Sequence, residues 1–114
     1  MTKDVLIFIK HILENINDIE EFSNKLAKAR LEKDKLKLKA IIRSLEVIGE
    51  AVKNIPPSFR NRYPNIEWNK IAGLRDKLIH NYFGVDFDTI WDVIDEDLPI
   101  LKKEILRILE EYKK

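Results

Sequence analysis

Arg75, His80 and Tyr82 fall within eight positions of a 114-residue chain that holds only two histidines. Their chemistry fits a reaction on RNA. Histidine exchanges protons near neutral pH. Arginine is permanently charged, and its planar fork matches phosphate oxygens. Together they could take the proton from a ribose 2′-hydroxyl and stabilise the charge that builds at the phosphorus. Such a pair needs no metal or other cofactor. The sequence shows no metal site around it either: His11 lies far away, no HxxxH or HxxxE pair surrounds His80, and there is no cysteine.

Helix geometry constrains how these residues can meet. Positions 75 and 80 stand about 140° apart around an ideal helix, whereas 75 and 82 are nearly aligned. Arg75 and Tyr82 would then share a face while His80 points away. For Arg75 and His80 to reach one phosphate, the helix must unwind near Gly84, or two subunits must share the site. The same residues also fit a plain helix end. There His80 would meet the negative end of the helix dipole, Arg75 would pair with Asp76, Asp86 or Asp88, and Tyr82 would cover the end of a bundle.

The elements that would carry this stretch read as helices. Few residues are glycine (three) or proline (four), and long runs of Leu, Ile, Glu and Lys dominate. Val5, Phe8, Ile9, Ile12, Leu13, Ile16 and Ile19 recur at spacings of three and four, predicting a helix from about Thr2 to Phe22. Ser23 and Asn24 break it, and either could cap the segment after them. Residues 25–34 read as a short helix or a basic loop. Ile41, Leu45, Ile48, Val52 and Ile55 predict a second long helix over about 34–54, stopped by Pro56 and Pro57. "PPSFRNRYPN" reads as a turn-rich connector with room for one helical turn. A third helix is expected from a cap at Asn65, with Glu67 in its first turn, Ile71, Leu74 and Leu78 on its apolar face and Gly84 at its end. Gly73 inside it suggests close approach by another backbone, from a neighbouring helix or a second subunit. The final helical region starts at Asp86 or Asp88. Its stripe Ile90, Ile94, Leu98, Leu101, Ile105, Ile108, Tyr112 runs through Pro99 in phase, which predicts a kinked helix or two nearly collinear ones. The expected fold is all-α: one domain over residues 1–114, an antiparallel bundle of four to five helices with a kinked C-terminal helix.

Charge is segregated although the net charge is only +1. Residues 25–43 carry eight bases (Lys25, Lys28, Arg30, Lys33, Lys35, Lys37, Lys39, Arg43) against Glu32 and Asp34. Residues 84–97 carry six acids (Asp86, Asp88, Asp92, Asp95, Glu96, Asp97) and no base. The basic run could meet a phosphate backbone or form a solvated helix face. The acidic run could repel nucleic acid or dock a basic partner. No apolar run approaches the ~20 residues of a membrane span. The absence of cysteine fits a reducing compartment, and the expected location is cytoplasmic.

The surroundings of the motif carry a family likeness. "LEVIGEA", "YPNIEWNKIAGLRD" and "HNYFGVDFDTIWDVIDEDLPILKKEI" cover roughly residues 40–106. This stretch resembles the HepT-like branch of the HEPN superfamily, and its signature is R-x4-H-x-Y preceded by "WNKIAGLRD" and followed by "FGVD". The resemblance implies an HEPN-type bundle and a metal-independent endoribonuclease, the toxin of a two-gene toxin–antitoxin module. It implies Arg75 and His80 as the catalytic pair and Asp76 as a supporting residue that orients one of them. Tyr82 would be the residue to which a minimal nucleotidyltransferase antitoxin transfers AMP. It further implies a homodimer whose motifs face one another across a cleft, with tRNA or mRNA as substrate. Asn81 occupies a position that the family varies. A second reading is a non-catalytic helical module that docks a nucleotidyltransferase or binds nucleotide or nucleic acid without cutting it.

Overall fold

In the computed structural model, which describes residues 2–24, 26–74, 76 and 87–113, every regular element is helical. Helix α1 spans Thr2–Ser23, α2 Lys28–Lys33 and α3 Lys35–Lys53. Two short helices come next, α4 over Pro57–Arg60 and α5 over Trp68–Ala72. After the motif come α6, Phe87–Asp92, a π-turn over Val93–Asp97 and α7, Leu98–Lys113. The chain builds the all-α antiparallel bundle that the periodicity predicts, with α1, α3 and the α6–α7 run as its long members.

The core matches the apolar spacing. Ile9, Ile12, Ile16 and Ile19 of α1 interlock with Ile41, Leu45, Ile48 and Val52 of α3, all at most 1% exposed. Full burial of each such side chain contributes about 1.5–3 kcal/mol. Phe8 and His11, early in α1, share a groove with Ala51 and Asn54 at the end of α3, so these two helices run antiparallel. Glu20, late in α1, accepts a hydrogen bond from Lys102, early in α7, at 2.6 Å, which sets α7 antiparallel to α1.

Local chemistry explains most helix ends. The Asp34 carboxylate accepts from the backbone N–H of Lys37 at 3.0 Å and caps α3. Pro56 and Pro57 end the run after α3, and Pro57 then opens α4, where a missing N–H costs nothing. Neither Ser23 nor Asn24 caps α2. Ser23 Oγ donates back to Ile19 O at 2.7 Å, and the residue before α2 is Ala27, with no side-chain cap.

Helix α5 begins later than expected. Its N-cap position is Glu67, with no side-chain cap bond, so Asn65 does not start the helix and Glu67 does not lie in its first turn. Tertiary bonds decide this. Trp68 is buried, and its indole N–H donates to the carbonyls of Arg60 (3.1 Å) and Tyr63 (3.0 Å), holding 63–67 in a turn. Phe59 and Tyr63 pack beside each other (ring centroids 5.2 Å apart), and Phe59 stacks on Tyr112 of α7 at 6.1 Å. Gly73 caps the end of α5, its N–H bonded to Asn69 O at 3.0 Å. Among the described residues, a Cβ there would meet only carbonyl oxygens of its own preceding turn, at 3.4 and 3.6 Å. No neighbouring helix of the described chain crowds it.

Pro99 is accommodated by the π-turn. Leu98 N–H bonds to Val93 O, five residues back, and Pro99 comes next, in the first turn of α7. There its missing donor is tolerated. The buried residues Phe87, Ile90, Val93, Leu98, Leu101, Ile105 and Ile108 therefore include one step of five. The expected stripe has Ile94 in that place, but Ile94 is only partly buried, and Val93 takes its position in the core.

Candidate functional site

Arg75, His80 and Tyr82 lie outside the described residues, as do Leu78, Asn81, Gly84 and Asp86. What the structure shows is the frame on either side of them. Leu74 before the motif and Phe87 after it are both buried, at 8% exposure. Phe87 packs beside Trp91 with ring centroids 6.4 Å apart. Both ends of the motif are thus anchored in the core by apolar side chains.

Two ion pairs involve residues within and beyond the motif. Asp76 is exposed, and Lys53 Nζ, on the last residue of α3, stands 3.4 Å from each of its carboxylate oxygens. Past the motif, Lys28 Nζ lies 2.6 Å from Asp88 Oδ1. This hydrogen bond raises the Lys28 pKa above its ordinary 10.5, and the charges of Asp88, Asp92 and Glu32 add to the effect. A third pair, Lys70 to Asp97 at 3.2 Å, likewise raises the Lys70 pKa. Two acids of the 84–97 run are therefore met by lysines of the same chain, and the basic and acidic runs touch through Lys28 and Asp88. Sequence reasoning did not find Lys53 or Lys28 as framing residues. Both partners are remote in the chain, and no local spacing signals them.

Most of the basic run faces solvent. Arg30, Lys33, Lys35 and Lys39 are exposed, while Arg43 pairs within its own helix with Glu46 at 3.5 Å. The second histidine, His11, sits in the α1–α3 groove with Arg43, Glu46 and Glu50, its ring edge-on to Phe8 at 6.5 Å. Among the described residues, no group of three His, Cys, Asp or Glu side chains is placed to hold a metal ion. No described helix is long and apolar enough to cross a membrane.

Comparison with known proteins places this frame in a context. The family model described as "Ribonuclease HepT-like" matches residues 12–108, a range that includes the whole motif. A protein of Methanocaldococcus jannaschii named as a candidate RNase is 50% identical over 109 residues, covering 96% of this chain and 90% of its own. A Caldanaerobacter subterraneus protein named in the same way is 42% identical over 106 residues, covering 93% and 95%. A Thermococcus cleftensis protein named "Probable ribonuclease HepT" is 46% identical over 95 residues, covering 83% and 86%. No solved structure matches the chain.

Proposed function

The chain belongs to the HepT-like ribonuclease family, and from that premise we propose that it is an endoribonuclease acting through Arg75 and His80. The observation that carries this reading is the family match over residues 12–108, which contains the R-x4-H-x-Y motif intact. His80 takes the proton from a ribose 2′-hydroxyl and returns one to the leaving 5′-oxygen. Arg75 neutralises the charge on the phosphorane. The bond formed is 2′-oxygen to phosphorus and the bond broken is phosphorus to 5′-oxygen, so the products carry a 2′,3′-cyclic phosphate and a 5′-hydroxyl. No metal enters these steps.

Asp76 acts as a positioning residue. Its pairing with Lys53 supports this reading, because it fixes the carboxylate beside the motif at the end of α3. Two copies of the chain would bring two motifs together, which meets the angular separation of positions 75 and 80 on a helix. In this proposal the protein is the toxin of a two-gene module, working in the cytoplasm on tRNA or mRNA. Its partner, a minimal nucleotidyltransferase, transfers AMP to Tyr82. The adduct adds bulk and negative charge beside Arg75 and competes with RNA phosphate for it.

The second reading, a docking module without catalysis, draws on the acids that flank the motif. Asp76 and Asp88 each face a lysine, so neither presents an unbalanced charge to RNA, and this weakens that reading. Product chemistry separates the two. Purified protein incubated with RNA and a chelator is expected to yield fragments ending in cyclic phosphate. RNA left intact after prolonged incubation would overturn the catalytic reading.

A further inference from the structure

We propose that the α2–α3 shoulder, built by Arg30, Lys33, Lys35 and Lys39, is a binding surface for the phosphate backbone of the RNA, outside the catalytic motif. This deepens the ribonuclease reading and rests on it.

Three observations support the shoulder. First, these four exposed cations within ten residues make no ion pair among the described residues, whereas Lys28 and Arg43 on either side of them do. The pairing that neutralises Lys28, Lys53 and Lys70 stops short of the shoulder. Second, Leu31 is fully buried and pins α2 against the core, and only Asp34 separates α2 from α3. The cations are therefore held on two helices of fixed relation, with Lys35 and Lys39 one turn apart, about 6 Å along α3. Third, the shoulder is tied to the helix that follows the motif in sequence. Lys28, the first residue of α2, holds Asp88, in the first turn of α6 and six positions past Tyr82.

Helix stability accounts for only part of the arrangement. Arg30 and Lys33 lie in the last turn of α2, where cations suit the helix dipole. Lys35 opens α3, where a cation opposes it and no acid shares the first turn. A membrane surface is a poorer match, since Leu36 is the lone large apolar side chain exposed within the shoulder (81%) and makes no apolar stripe.

The test uses the full-length chain carrying His80→Ala, so that RNA stays intact, and a fluorescein-labelled single-stranded RNA of mixed sequence. Lys33→Gln, Lys35→Gln and Lys39→Gln are combined in one variant. A control variant combines Lys10→Gln, Lys103→Gln and Lys113→Gln, which removes the same charge elsewhere on the surface. The shoulder variant is expected to bind roughly tenfold or more weakly and to lower the slope of log K against log salt by about 2. The control should match the parent in slope. Thermal melting is expected to show the shoulder variant no less stable than the parent. With His80 restored, turnover at saturating RNA should be unchanged and KM raised. Shoulder and parent proteins with equal affinity and slope would overturn the proposal, as would a control that weakens binding as much. A parent that binds RNA through the shoulder yet never cleaves it would sink the activity reading while leaving the surface standing.

Discussion

Lys28 Nζ lies 2.6 Å from Asp88 Oδ1, joining the basic run to the first turn of α6, six residues past Tyr82. Lys53 faces Asp76, which lies between Arg75 and His80 in sequence. One of these lysines precedes α3 and the other closes it. Both pairs are exposed, so they add little to stability. Their consequence is electrostatic: Asp76 and Asp88 are each met by a lysine, while Arg30, Lys33, Lys35 and Lys39 make no ion pair among the described residues.

Asp76 tests the positioning role. Asp76→Asn is expected to lower kcat about tenfold or more with KM little changed, and to shift the pH profile of kcat, because the proposed positioning charge is lost. Lys53→Gln, which removes only its partner, should have a smaller effect in the same direction. A KM change with kcat intact would place Asp76 in binding instead.

Tyr82 tests the switch. Protein co-expressed with its neighbouring nucleotidyltransferase should give a Tyr82 peptide heavier by one or more AMP units, and that protein should not cleave RNA. The added mass should vanish with an inactive transferase or with Tyr82→Phe. A modified peptide elsewhere in the chain would move the switch away from the motif.

The α1–α3 interface sets stability. Ile48 is fully buried at its centre, so Ile48→Ala should cost about 2–5 kcal/mol in urea unfolding. Ile100 is 63% exposed, and Ile100→Ala should stay within about 0.5 kcal/mol. Equal losses at the two positions would contradict this packing.

Tyr63 makes a pH-dependent contribution. Its hydroxyl donates to Glu111 Oε2 at 2.8 Å, and burial first, then this bond, push its pKa well above the ordinary 10.0. A folded-state pKa raised in this way supports folding below pH 10, and the support is lost as pH rises above that value. Lys28 and Lys70, raised above 10.5 by Asp88 and Asp97, act in the same direction at still higher pH. Urea stability should therefore fall above about pH 10. Tyr63→Phe should remove part of that fall while costing roughly 1 kcal/mol at pH 7. An alkaline fall identical in Tyr63→Phe would exclude this tyrosine as its source.

Much of the architecture is legible in the residues themselves. The isoleucine and leucine seams of α1 and α3 appear at helical spacing, and Pro56–Pro57 mark the end of the second long helix. What escapes depends on partners distant in sequence. The late start of α5 comes from the Trp68 indole bonding to Arg60 and Tyr63 carbonyls, which overrides the capping preference of Asn65. The π-turn exchanges Ile94 for Val93 in the core, and both choices keep an acceptable apolar stripe through Pro99. The lysines that frame the motif come from α2 and α3. Arg75, His80 and Tyr82 stand out in the sequence by type and spacing, but that spacing alone also fits a plain helix end, and the three lie outside the described residues.

The central claim is that His80 moves protons for RNA cleavage. The measurement is the initial rate at which purified protein, in chelator, cuts RNA to fragments with cyclic phosphate ends, compared between the parent and His80→Ala. The parent should cleave, and His80→Ala should be slower by about 10²–10⁴-fold while binding RNA as before. A His80→Ala protein that cleaves at the parent's rate would contradict the account.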